Sequence, residues 1–147
     1  MFLTEIDGYR RFSQIKTQIF ADMRENEISY DIRGAAYHAY NHLGPGMLES
    51  VYEHALSFEL IRLGHQVKNQ VGIPVSYKES RLELGFRLDI LVDDLVIIEV
   101  KSVDQLADIH HKQLLTYLKL TGLKLGILIN FNTLDINASM IRIVNGL

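Results

Sequence analysis

Three charges interrupt the apolar stretch Arg87–Lys101, RLDILVDDLVIIEVK: Asp89, Glu99 and Lys101. Burying an isolated charge costs several kcal/mol or more, so an acid and an amine near the end of so greasy a segment call for a reason. One reason is chemical. The carboxylates of Asp89 and Glu99 supply hard oxygens, which suit Mg²⁺ or Mn²⁺. Lys101 could then orient or deprotonate a water and stabilise charge building on a phosphate. The ordinary structural alternative is a strand end whose acid and amine form a salt bridge.

The elements that must position these groups are two strands. Leu88–Val92 and Leu95–Val100 are rich in Ile, Val and Leu and flank Asp93-Asp94, which reads as a hairpin tip because Asp tolerates left-handed turn conformations. Glu99 and Lys101 lie two apart and point the same way. A strict two-residue loop would pair Val92 with Leu95 and set Asp89 and Glu99 on opposite faces. A shared metal needs one extra residue, as a three-residue loop or a β-bulge, or a sharp twist where the strands part. The sequence therefore predicts an irregularity between Leu88 and Glu99, both carboxylates on one side, and Lys101 and Glu49 beside them.

The chain has 147 residues, enough for one domain with a real core, and nearly half are apolar. No run of eighteen apolar residues predicts a membrane span. Met1-Phe2-Leu3 is followed at once by Glu5 and Asp7, which does not read as a signal peptide. The absence of cysteine excludes disulfides and thiolate metal sites and fits a cytoplasmic location. A net charge of −3 offers no bulk basic field for nucleic acid, although a local basic face is compatible with it.

Ile6, Tyr9, Phe12, Ile15 and Ile19 recur every three or four residues and predict a short amphipathic helix within residues 1–22, an extension or packing arm. A second helix is expected from about Asn26 to Leu43, with Ile28, Ile32, Ala35, Ala36 and Ala39 buried, and Gly44-Pro45-Gly46 ending it. A third follows from about Met47 to Leu63, with Leu48, Val51, Tyr52, Ala55, Leu56, Phe58 and Leu60 as a broad apolar face. Glu49 falls in its first turn, where the helix dipole alone would favour an acid. Glu49, Tyr52 and Glu53 share one face.

Val67–Tyr77 alternates and contains Pro74, so it reads as an edge strand. Leu95–Val100 is apolar on both faces and should be central. Gln105–Leu120 reads as a helix with Leu106, Ile109, Leu114, Tyr117 and Leu118 inside. Lys124–Phe131 should be a strand parallel to Leu95–Val100 through a right-handed crossover, and Met140–Val144 a short edge strand. His110, Gln113 and Tyr117 share a helix face. Adjacent His110 and His111 point about a hundred degrees apart and make a poor zinc pair. His110 is read as a site contact or a helix-start residue, and Tyr52 and Tyr117 as substrate contacts or core aromatics. The remaining histidines, His38, His42, His54 and His65, are expected on the surface or at helix ends.

Helix, three-stranded meander, helix and strand, with Asp and then Glu-x-Lys on the middle strands, resembles the PD-(D/E)XK nuclease superfamily. Gly46-Met47-Leu48-Glu49-Ser50-Val51-Tyr52 fits the G-x-x-E-x-x-Y motif that names a small family within it. Leu43–Gly46, the His110-x-x-Gln113-Leu114-x-Thr116-Tyr117-Leu118 run and Ile143–Leu147 are also similar to that family. The resemblance covers about Glu25–Leu147. It implies a restriction-endonuclease-like αβββαβ core: an α/β (α+β) fold with a central mixed sheet flanked by helices, beginning near residue 23. It implies that Asp89, Glu99 and the backbone carbonyl of Val100 hold Mg²⁺ (or Mn²⁺). Lys101 would be the catalytic lysine, Glu49 a second-metal or water ligand, and Gln113 a supporting polar residue. Leu88 stands where the superfamily often has proline. The implied function is phosphodiester cleavage in nucleic acid, DNA more than RNA. Two other readings are a catalytically silent module that binds nucleic acid or a protein, and a homo-oligomeric scaffold.

Overall fold

The computed structural model describes residues 2–147, with the side chains of residues 2–6, 9, 21 and 84 outside the description; Ile6 and Tyr9 therefore lie outside the described side chains. Helices α1 (Phe2–Leu43) and α2 (Glu49–Arg62) precede strands β1 (Val67–Tyr77), β2 (Ser80–Val92) and β3 (Val96–Lys101). Helix α3 (Asp108–Thr121), β4 (Leu125–Asn130), a 3-10 turn (Asn137–Ser139) and β5 (Met140–Val144) complete the chain. The five strands lie in sequence order, β1-β2-β3-β4-β5. Only β3 and β4 are parallel, joined through α3; the other neighbours are antiparallel. The sheet is therefore mixed and flanked by helices, as expected, with Pro74 on the edge strand and every residue of β4 buried.

Helices cover both faces. On one, Ile28, Ile32, Ala35, Ala36 and Ala39 of α1 and Tyr52, Leu56 and Leu60 of α2 pack on Ile90, Ile98, Val100 and Ile127. On the other, Leu114, Tyr117 and Leu118 of α3 pack on Ile97, Leu128, Ile73 and Leu88. Gly126 is the close-approach point, since a Cβ there would meet the Leu114 side chain at 2.8 Å.

Three expectations need correction. The first forty-three residues hold one uninterrupted helix rather than two, because Met23–Glu27 contains no Gly or Pro and favours helix. The buried side of α2 is narrower than its apolar residues suggest: Tyr52, Glu53, Leu56, Ser57 and Leu60 face inward, while Leu48, Val51 and Phe58 are exposed. Ile109 is exposed as well, since α3 starts at Asp108 and its first turn lies off the buried face. No helix among the described residues is long and apolar enough to cross a membrane.

His65 lies at the end of α2, one of the two places expected for it, where its backbone N–H donates to the Leu60 carbonyl at 3.1 Å, but its ring is largely covered. Its Nδ1 lies 2.6 Å from Asp93 Oδ2 and its Nε2 2.7 Å from Asp31 Oδ2, so one ring ties α1 to the β2–β3 hairpin. Both nitrogens can donate only when the ring is charged. Burial opposes that charge, but the hydrogen bonds and charges of Asp93 and Asp31 outweigh it and hold the His65 pKa above its ordinary value. Burial likewise opposes ionisation of Asp93, and the hydrogen bonds from His65 and the Gln66 N–H overcome it, leaving its pKa lowered. The His65 contribution is thus complete below the unfolded-state pKa and fades as pH rises through the raised one. The Asp93 contribution is complete above its unfolded-state pKa and fades as pH falls through the lowered one. We expect the melting temperature of the wild type to drop at both ends and the alkaline drop to be shallower in His65→Ala, which keeps only the share due to Glu99. Parallel curves for the two proteins above neutrality would contradict this.

Candidate active site

The extra residue required between the two carboxylates is present. Val92 pairs with Val96, not with Leu95, so three residues form the loop. Asp93 and Asp94 have φ of 51° and 55°, and the Leu95 N–H donates to the Val92 carbonyl at 2.9 Å. Lys68 holds Asp94 at 2.7 Å, and His65 and the Gln66 N–H hold Asp93. The turn is thereby fixed, and with it the register that sets Ile90 opposite Ile98.

Ladder pairing between β2 and β3 ends at that pair, and beyond it side chains carry the bonds. The Asp89 N–H donates to Glu99 Oε1 at 3.2 Å, and the Val100 N–H donates to Asp89 Oδ2 at 2.9 Å. The two carboxylates thus occupy the gap where the strands part. Leu88 packs with the α3 cluster, whereas Ile90 packs with the α1–α2 cluster. Residues two apart on a regular strand point the same way, so alternation breaks at Asp89. Gln70, at the register position opposite Asp89, has φ of 52°. Strand irregularities of this kind recur beside active sites, where they re-aim a side chain.

Glu99 is only 3% exposed. Burial, and then the charge of Asp89, push its pKa up to about 8, with Lys101 acting in the opposite sense. No ion pair within 4.0 Å joins Glu99 to Lys101 or to any other cation among the described residues. The ordinary explanation of the Glu-x-Lys pattern, a salt bridge, therefore does not hold. Lys101 is half-buried and lies on the Glu99 side of β3 by alternation.

Among the described residues no three His, Cys, Asp or Glu side chains gather as a ready-made metal cage. The pair of hard carboxylates still suits Mg²⁺, which is commonly held by one or two carboxylates with waters and substrate phosphates completing its shell. A buried and a half-buried acid, with no cation paired to either within 4.0 Å among the described residues, are the kind of donor set such an ion neutralises.

The remaining site residues fall into two groups. Tyr117 is buried near both acids; burial and then the charges of Glu99 and Asp89 push its pKa up to about 12, with Gln113 beside it acting in the opposite sense. Tyr117 also packs on Phe86, with ring centroids 5.2 Å apart. Glu49, Tyr52 and His110 do not join them. Glu49 Oε1 accepts the N–H of Ser102, next to Lys101, at 3.2 Å. Tyr52 is a core aromatic stacked on Phe131 at 4.4 Å; its hydroxyl donates to the Gly44 carbonyl and accepts the Met47 N–H. Gly46 has φ of 97°, which a side chain would strain. Within Gly46–Tyr52, the glycine makes the turn, the tyrosine latches it, and Glu49 is carried to the end of β3. His110 takes the helix-start role: its Nδ1 accepts the Ala107 N–H at 3.0 Å.

Sequence reasoning missed two residues next to the acids. Glu53 is buried on α2, and the Gln70 amide donates to its Oε1 at 2.8 Å while lying 3.5 Å from Asp89 Oδ1. Asn69 completes the contact by donating to Ser57 Oγ at 2.8 Å. Glu53 and Ser57, four apart on the inward face of α2, were the available signal; nothing marked Gln70 on an edge strand.

A family model described as the PD-(D/E)XK nuclease superfamily matches residues 26–143. Comparison with curated proteins and with solved structures gave no match.

Proposed function

The chain belongs to the PD-(D/E)XK nuclease superfamily, and from that premise we propose that it is a Mg²⁺-dependent nuclease of the G-x-x-E-x-x-Y family, acting on DNA before RNA. The observation that carries this reading is the juxtaposition of Asp89 and buried Glu99 in the gap between β2 and β3. In it, Asp89, Glu99 and the Val100 carbonyl hold the ion, which when bound supplies charge stabilisation to the non-bridging and leaving oxygens of the phosphodiester. Lys101 places its ammonium against the reacting phosphate and orients the attacking water. Gln113 fixes the Tyr117 hydroxyl beside the acids. Glu49 borders the site at the end of β3, and Glu53 steadies Asp89 through Gln70.

The preference for duplex DNA draws on the far part of the β1–β2 pair. Paired residues continue to Tyr77–Ser80, well past the last β2–β3 pair, and this ribbon carries Lys78, Arg81 and Arg87 against Glu79 and Glu83, with Arg81 paired to Glu83 at 3.2 Å and Tyr77 exposed. A two-stranded ribbon fits the major groove, and its cations suit phosphates.

The test is incubation with plasmid, single-stranded DNA and RNA in Mg²⁺ or Mn²⁺, with and without chelator. Chelator-sensitive cleavage of plasmid at the highest rate is expected. No cleavage of any substrate would overturn the reading and leave a silent binding module.

A further inference from the structure

We propose, resting on the nuclease reading above, that Gln70 is a positioning residue of the ion site: its side-chain amide sets the aim of Asp89, and Glu53 sets which way round that amide sits. Among the described residues, four other than glycine have positive φ. Lys78, Asp93 and Asp94 lie in turns, where this is ordinary; Gln70, with φ of 52°, lies within β1. A Cβ makes the left-handed conformation costly, and it persists only where the surroundings hold it. The β1–β2 ladder passes over Gln70 and Asp89: Asn69 pairs with Ile90, and Val71 with Leu88.

The turned backbone delivers an amide to two acids. Gln70 Nε2 donates to Glu53 Oε1 at 2.8 Å and lies 3.5 Å from Asp89 Oδ1. The other Asp89 oxygen, Oδ2, accepts the Val100 N–H at 2.9 Å. Asp89 is therefore held at both oxygens, from β3 on one side and from β1 on the other. Glu53 is 8% exposed and has no cation within 4.0 Å among the described residues; the amides of Gln70 and Asn69 face it instead. A carboxylate only accepts, so it draws the NH₂ end of Gln70 inward, and that end alone can donate to Asp89. Glutamine at position 53 would offer both a donor and an acceptor and leave the choice open. Lysine or arginine at position 70 would hold the acids equally well but neutralise the charge that the ion must meet. A neutral amide orients Asp89 and leaves its charge for the ion, as the hydrogen-bond partners of metal ligands commonly do.

Gln70→Gly isolates the amide, because glycine takes positive φ at no steric cost and keeps the backbone as it is. Without metal this variant should melt within a few degrees of the wild type. Its Mn²⁺ affinity, read from the signal of the free ion, should fall by about 10–100-fold, the usual result of removing a hydrogen-bond partner of a metal ligand. Glu53→Gln keeps the shape of the side chain and should also weaken Mn²⁺ binding, though by less. The double variant should bind no more weakly than Gln70→Gly alone, because Glu53 acts through the amide that is gone. A Gln70→Gly protein that melts far below the wild type, or that keeps wild-type affinity, would overturn the proposal and leave the nuclease reading standing. So would wild-type affinity in Glu53→Gln, or losses that add in the double variant. A wild type that binds no Mn²⁺ would overturn both.

Discussion

Glu99→Gln is expected to abolish cleavage and, in the absence of metal, to make the protein more stable at pH 8 than the wild type. Buried Glu99 has its pKa raised from 4.5 to about 8 by burial and by Asp89. Between those pH values the unfolded chain has released a proton that the native chain keeps. Stability therefore falls as pH rises through this window and levels off above it. The accumulated loss is on the order of 4 kcal/mol. Glutamine is neutral, keeps an oxygen to accept the Asp89 N–H, and adds an amide that can donate to Asp89, so its curve should lack this part of the fall and keep only the share due to His65. Removing the ligand charge should cost about a thousandfold or more in rate, since it forfeits several kcal/mol of charge stabilisation. The two curves should meet near pH 4.5. A Glu99→Gln protein that melts below the wild type at pH 8 would mean that the carboxylate is there for the fold.

Lys101→Ala is expected to slow cleavage by about 10²–10³-fold, the usual cost of removing one aimed donor. It should leave metal binding in place, because Lys101 forms no ion pair with Glu99 and is not placed among the ligands. Added Mg²⁺ should still raise the melting temperature of Lys101→Ala, as it raises that of the wild type, by roughly 2.7 kcal/mol of stabilisation at a hundredfold excess over Kd. Losing activity and the metal-induced shift together would show that Lys101 holds the acids in place.

Much of this site was legible because register is a counting problem. Asp89 and Glu99 can face one another only if one residue is added between them, and the structure adds Leu95 to the turn. The strand order and the single parallel pair followed from β3 and β4 being apolar on both faces with a helix between. Other contacts were not legible. Gln70 meets Glu53 and Asp89 only because its backbone turns left-handed opposite the carboxylate, a choice its residue type does not signal. His65 looked like a helix-end residue, since Asp31 and Asp93 are far from it in sequence. Helix α1 was divided in two by a reading that placed an arm before a domain, yet no local breaker separates the two.

The central claim is that Asp89 and Glu99 together hold one divalent ion. Titration of the metal-free protein with Mn²⁺, followed through the paramagnetic signal of the free ion, addresses it directly. The account predicts one saturable site that Mg²⁺ displaces. Because the ion must replace a proton on Glu99, affinity should strengthen by up to about tenfold per pH unit as pH rises toward 8. Glu99→Gln should abolish the site. Binding that persists undiminished in Glu99→Gln, or no saturable binding to the wild type, would contradict it.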